Sequence, residues 1–197
     1  MKAELAKGHK FQKYLGIILQ ETSRLEKLVR DVKELAEMHS ADLQPANMNA
    51  VLSQVMEGFS STFSQRSIQL EKDIDESLPA INVDKAQIAR ALENIVQNSV
   101  EAMPSGGTLK VKASRVDSRI RIIVEDSGVG IQENEIDSII DPFVTSKTMG
   151  AGLGLTMVYQ IVMNHQGEID IKSRGGKGTI VKLDLPISLQ SQMEDEK

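Results

Sequence analysis

Apolar residues recur in a four-three alternation along the first part of the chain: Phe11, Leu15, Ile18, Thr22, Leu25, Val29, Val32 and Ala36. That alternation is the a/d seam of a coiled coil and predicts one long helix over residues 3–40. Leu28 and Leu35 widen the seam on one flank. A stripe this wide wants more than one partner helix, as in a four-helix bundle, unless the helix packs on its own domain. The stretch SADLQP at 40–45 breaks the pattern and reads as a domain boundary.

Beyond the break, Val51, Leu52, Val55, Met56 and Phe59 at helical spacing predict a helix over 49–64. Short strands are expected at 68–72 and 80–83. Asp84 with Gln87 forms an N-cap pair that starts the next helix, whose core side is Ile88, Leu92, Ile95 and Ser99. PSGG at 104–107 turns the chain into a strand over 108–114, and a hairpin through 116–118 leads to RIRIIVE at 119–125. Its alternation leaves one face wet. A short helix is expected over 133–140, a loop over 141–151 and a helix over 153–165. Strands at 168–173 and 179–185 flank a glycine-rich hairpin. Strands joined mostly by hairpins, with helices gathered on one face, make an α+β fold. It is a two-layer α/β sandwich behind one long N-terminal helix, with a mixed, mostly antiparallel sheet. The expected division is 1–42, 43–187 and a polar tail at 188–197.

Composition narrows the class. The 197 residues are 40% apolar and 26% charged, with formal charge −5. Such a balance argues against duplex nucleic acid, which needs clustered Lys and Arg. Zero cysteines remove disulfides, thiolate chemistry and Cys-ligated zinc, and suit a cytoplasmic setting. No apolar run approaches ~18 residues, so no membrane contact is expected of this segment.

Three segments carry the chemistry. In ENIVQNSVEAM at 93–103, Asn94 and Asn98 are four residues apart, so both amides leave one helix face. DSGVGI at 126–131 closes a β-branched run with an acid, Asp126, at its mouth; Gly128 and Gly130 let backbone come close to a ring. FVTSKTMGAGLGL at 143–155 is glycine-rich and opens a helix, where free N–H groups receive phosphate. Amides for a metal, an acid for a base and a phosphate cradle describe a nucleotide site. Each alone has an ordinary reading: a solvated Asn, an Asp turn, a flexible loop. GGKGT at 175–179 lacks the spacing of a P-loop, and Glu133 stands where a dinucleotide fingerprint needs its third glycine.

N-x-x-x-N, D-x-G-x-G-I, an intervening Phe and G-x-G-L-G-L, in this order, resemble the N, G1, F and G2 boxes of sensor histidine kinases. Those kinases share the Bergerat ATP-binding fold with DNA gyrase B, Hsp90 and MutL. KFQKYLGIILQETSRLEKLV at 10–29 resembles the second helix of their dimerisation and phosphoacceptor hairpin. The resemblance implies ATP and Mg²⁺ as cofactors, with Asn98 on the metal and Asn94 beside the phosphates. It implies Asp126 on the adenine amine, Thr179 on a bridging water, and a lid from Phe143 to Ala151. Gly150, Gly152, Leu153 and Gly154 would lie at the phosphates. Lys147 is either a lid cation near the β- or γ-phosphate or a solvated loop lysine.

Three departures matter. Gyrase-like relatives place a water-activating Glu where this chain has Asn94, so transfer is favoured over hydrolysis. Many kinases carry a basic residue at the position of Glu101. The family's acceptor His followed by an acid is absent: His9 precedes Lys10, while His39 and His165 end helices. The expectation is the ATP-binding catalytic domain of a two-component kinase that phosphorylates a histidine outside this chain, for transfer to a response regulator receiver domain. Implied partners are the phosphoacceptor helix, the regulator and a second copy through the N-terminal helix. The alternatives are a gyrase- or MutL-like ATPase clamp and a non-catalytic nucleotide-binding dimerisation module.

Overall fold

In the computed structural model the chain is described over residues 2–36, 41–132, 139 and 152–188. The first element, α1 (Lys2–Ala36), is a single helix. Its seam residues Phe11, Leu15, Ile18, Leu25, Val29 and Val32 are all exposed, Phe11 by 66%. The last positions of the expected helix, including His39, lie outside the described residues, as does the tail from 189.

The stretch expected as a boundary holds a short strand that the sequence pattern concealed. β1 (Gln44–Ala46) pairs antiparallel with β3 (Ile81–Val83), Pro45 opposite Asn82. Three residues are too few to show a period, and a strand with Pro reads as a breaker.

The helix expected over 49–64 is two helices. α2 (Met48–Gly58) is capped by Asn47, whose Oδ1 accepts the N–H groups of Asn49 and Ala50. It stops after Gly58 because Phe59 takes φ −95°, ψ 0°, and α3 (Ser60–Gln65) restarts from there. Glycine weakens the helix at that point. The rings of Phe59 and Phe63, 5.9 Å apart, are stacked.

The main sheet has the order β2-β4-β5-β7-β6. β2 (Ile68–Ile74) runs parallel to β4 (Gly107–Val116), and every other neighbouring pair is antiparallel. β5 (Arg119–Asp126) follows β4 through a hairpin; β6 (Glu168–Ser173) and β7 (Thr179–Pro186) form another. Alternation in β5 does what the sequence pattern predicts: Ile120, Ile122 and Val124 are buried on one face, and Arg119, Arg121 and Ile123 are half-buried on the other. On that outer face Arg121 makes two bonds to the buried Asp184, at 2.7 and 2.9 Å. The carboxylate partner holds the guanidinium pKa above its usual value.

The inner face is covered by helices. α4 (Lys85–Ala102) turns Ile88, Leu92, Ile95 and Ser99 inward, as expected. α5 (Gly154–Asn164) adds Met157, Val158, Ile161 and Val162 to the same core, and α2 adds Val51, Leu52 and Val55. The N-cap pair at α4 is corrected in one half. Asp84 Oδ1 does accept the N–H groups of Ala86 and Gln87. The reciprocal bond from Gln87 is not made: the Asp84 N–H donates to His165, and Gln87 Oε1 is buried with no partner among the described residues.

Candidate functional site

The site lies between α4, the ends of β5 and β7, and the start of α5. Asp126 closes β5 and is 5% exposed. Register puts it directly opposite Thr179, the first residue of β7. One carboxylate oxygen, Oδ1, accepts the Gly128 N–H at 2.8 Å and the Thr179 N–H at 3.2 Å. The acid therefore holds the turn and the strand pair together through a single oxygen.

The turn is pressed against its own protein. Val129 N–H donates to the Ala102 carbonyl at the end of α4, at 3.0 Å. A Cβ on Gly128 would come within 2.6 Å of that same oxygen. Gly130 has φ +66°, and a Cβ there would collide with the Arg174 carbonyl. The glycines are required by close backbone packing, which lays the turn along one wall of a cavity.

That cavity measures about 320 Å³ and is lined by Asn98, Asp126, Gly130 and Thr179, residues drawn from three separated segments. Its apolar walls are Ile95, which the sequence had marked only as core, and Ile131, Leu155, Ile171 and Val181. Ile171 and Val181, paired directly in register, make one wall. Glu101 is also on the lining and accepts a bond from the Gln97 amide at 2.7 Å. Ser173 was missed as well, since a lone serine at a strand end carries no pattern. Its Oγ accepts the Ile131 N–H at 2.8 Å and lies 2.9 Å from Thr179 Oγ1, fastening the turn to β7.

Asn94 sits one turn back along α4. Its amide donates to the Arg90 carbonyl at 3.0 Å and meets the Met157 sulfur at 3.6 Å. Opposite it, α5 begins at Gly154 after Leu153, which caps the helix with no side-chain hydrogen bond. A Cβ on Gly154 would stand 3.2 Å from Asn94 Oδ1 and 3.9 Å from Asn98 Nδ2. Gly152, at φ +71°, turns the chain into this start. Asn94, Asn98, Gly154, Asp126 and Thr179 are thus brought to one region. Phe143, Lys147, Gly150 and the lid expected over 143–151 lie outside the described residues, as does the helix expected over 133–140 except Ile139, which lines the cavity.

Cavities that take small molecules measure roughly 300–1,000 Å³ and pair apolar walls with a few convergent polar groups. This one has that composition, together with a helix N-terminus suited to an anion. The profile of the histidine kinase-, DNA gyrase B- and HSP90-like ATPases matches residues 83–189. The sensor histidine kinase ZraS of Escherichia coli (strain K12) is 32% identical over 173 residues, 88% of this chain and 37% of ZraS. The chain therefore spans well under half the length of that relative. Full-length ShkA, solved in complex with AMPPNP, superposes with TM-score 0.77 at 26% identity, covering 91% of this chain and 39% of ShkA. Histidine kinase ThkA, solved with the response regulator TrrA, gives TM-score 0.76 at 27% identity, covering 89% of this chain and 51% of that one. The chain belongs to the histidine kinase-, DNA gyrase B- and HSP90-like ATPase family. Within it, this is a catalytic ATP-binding domain of the histidine kinase type.

Proposed function

We propose that this chain binds Mg·ATP in the cavity beside α4 and presents the γ-phosphoryl group to a histidine outside the chain, for onward transfer to a receiver-domain aspartate. The observation that carries the reading is the convergence of Asn98, Asp126, Gly130 and Thr179 on one cavity of about 320 Å³. In this reading residues 43–187 are the ATP-binding domain, and residues 1–42 belong to a dimerisation hairpin.

The second carboxylate oxygen of Asp126 accepts the exocyclic amine of adenine; guanine offers a carbonyl there and is refused. Thr179 holds a water against the base. The donor set fits magnesium, since the Asn98 amide supplies a hard oxygen and Mg²⁺ keeps several waters. When bound, that ion offsets phosphate charge. Asn94 lies beside the phosphates and has no proton-accepting character, so water is not activated there. Gly152, Leu153 and Gly154 offer N–H groups to the phosphates, and Phe143, Lys147 and Gly150 belong to the covering lid. A neutral imidazole from the acceptor helix attacks the γ-phosphorus in line; the N–P bond forms as the bond to the ADP oxygen breaks.

The exposed seam of α1 supports pairing with a second copy. No helix among the described residues is long and apolar enough to cross a membrane; a cytoplasmic location is part of the proposal. The test is direct. The chain is mixed with Mg·ATP and a separate protein carrying the first hairpin helix, and acid-labile phosphohistidine is sought on that helix. Phosphate release at a steady rate with no labelled histidine would overturn the transfer reading.

A further inference from the structure

The function above makes no use of His165. Its imidazole is 0% exposed, at the C-terminal end of α5. Nε2 accepts the Asp84 N–H at 2.9 Å, and Nδ1 lies 2.7 Å from the Ile161 carbonyl. Only the neutral ring with its proton on Nδ1 satisfies both partners. Asp84 is itself a junction. Its Oδ1 caps α4, and its Oδ2 accepts the N–H of Asp42, in the segment that follows α1. One imidazole therefore ties the end of α5 to the start of α4, and through Asp84 to the chain arriving from α1.

The two helices meet again at the cavity, where Met157 and Gly154 of α5 face Asn94 and Asn98 of α4. α5 runs about 16 Å from that contact to His165, at the usual rise per residue. A slide at one end of a rigid helix is a slide at the other. Burial lowers the imidazole pKa; the Ile161 carbonyl and then Asp84, the charged group acting on His165 among the described residues, favour the cation less strongly.

We propose that His165 is a positioning residue for the nucleotide site: its neutral ring sets the register of α5 against α4, and so aims the first N–H groups of α5 at the space beside Asn98. The inference rests on the reading that this cavity takes ATP.

The experiment uses the full chain and two variants. His165→Gln keeps an acceptor for the Asp84 N–H, and His165→Leu removes it at similar volume. Mg·ATP affinity is measured by calorimetric titration between about pH 5 and 8, the range of imidazole titration. Imidazole ¹⁵N shifts report the tautomer. His165→Leu is expected to weaken binding about fivefold or more, the low end of site-to-site coupling, while His165→Gln keeps most of the affinity. The parent should lose affinity on acidification beyond what His165→Gln loses, and its ring should show Nδ1–H. Equal affinities and equal pH profiles in parent and variants, or an Nε2–H signature, would overturn the proposal. If His165→Leu does not fold, the His165→Gln profile decides: one that falls with acid just as the parent's does is refuting. A parent that binds no Mg·ATP refutes the function and this inference together, whereas a binding parent matched by both variants refutes this inference alone.

Discussion

Substituting Asp126 separates its structural work from its proposed reading of the base. Oδ1 satisfies two backbone N–H groups, of Gly128 and Thr179, in a place where the side chain is 5% exposed. Asp126→Ala removes that acceptor and strands both donors. A buried donor left unpaired costs about 1–3 kcal/mol, so the pair costs on the order of 2–6 kcal/mol. Against a total stability of about 5–15 kcal/mol this is large, and it lowers the melting temperature by on the order of 5–20 °C. Asp126→Asn keeps an oxygen for the two N–H groups and replaces the other oxygen with an NH₂ donor. Its melting temperature should fall by a few degrees at most, about 1 kcal/mol. Its ATP affinity should fall by about 10- to 150-fold, the worth of a hydrogen bond of about 1.5–3 kcal/mol to a charged group. Because NH₂ now faces a carbonyl acceptor on guanine, the ratio of GTP to ATP binding should rise. Thermal unfolding and titration with both nucleotides on the same samples make the assay. Asp126→Asn binding ATP as the parent does, or melting as low as Asp126→Ala, would refute the division of labour between the two oxygens.

Two glycines with positive φ provide a second test. Gly176 (φ +75°) has open space where a Cβ would go, so Gly176→Ala costs only left-handed strain, about 1–2 kcal/mol. Gly130→Ala adds a collision with the Arg174 carbonyl and should cost about 1–3 kcal/mol more, with weaker ATP binding; equal melting temperatures would refute it. Leu92 is fully buried on the inner side of α4, and Leu92→Ala should cost about 2–5 kcal/mol in chemical denaturation; a loss under about 1 kcal/mol would mean the core beneath α4 is looser than described. Because the folded-state pKa of His165 is depressed, its contribution to stability is fully present above the unfolded value, about 6.5. It is lost as pH falls from there through the folded pKa. Unfolding free energies below pH 6.5 should therefore decline more steeply for the parent than for His165→Gln, and matching slopes would refute this.

Local chemistry made much of this molecule legible in advance. The inward residues of α4, the wet face of β5 and the turn before β4 depend on side-chain period and on Gly and Pro within a few neighbours. The exposed seam of α1 is equally local, since a heptad pattern is present whether or not a partner covers it. The helix broken at Phe59 was not legible, because the spacing of apolar residues continues across the break.

What the chain alone determined is therefore most of its elements, and which residue types stood ready to meet a nucleotide. Only tertiary structure decided that β2 lies parallel to β4, that β1 pairs with β3, and that Asp126 falls opposite Thr179. Tertiary structure also gave the Asp84 N–H to His165, 81 residues away, in place of Gln87 in the adjoining turn. A helix or a turn is stabilised by neighbours along the chain, whose spacing is written in the order of residues. A strand pairing or a cross-helix bond joins groups whose separation is set by how all the apolar faces close on one core, and no local pattern encodes that closure.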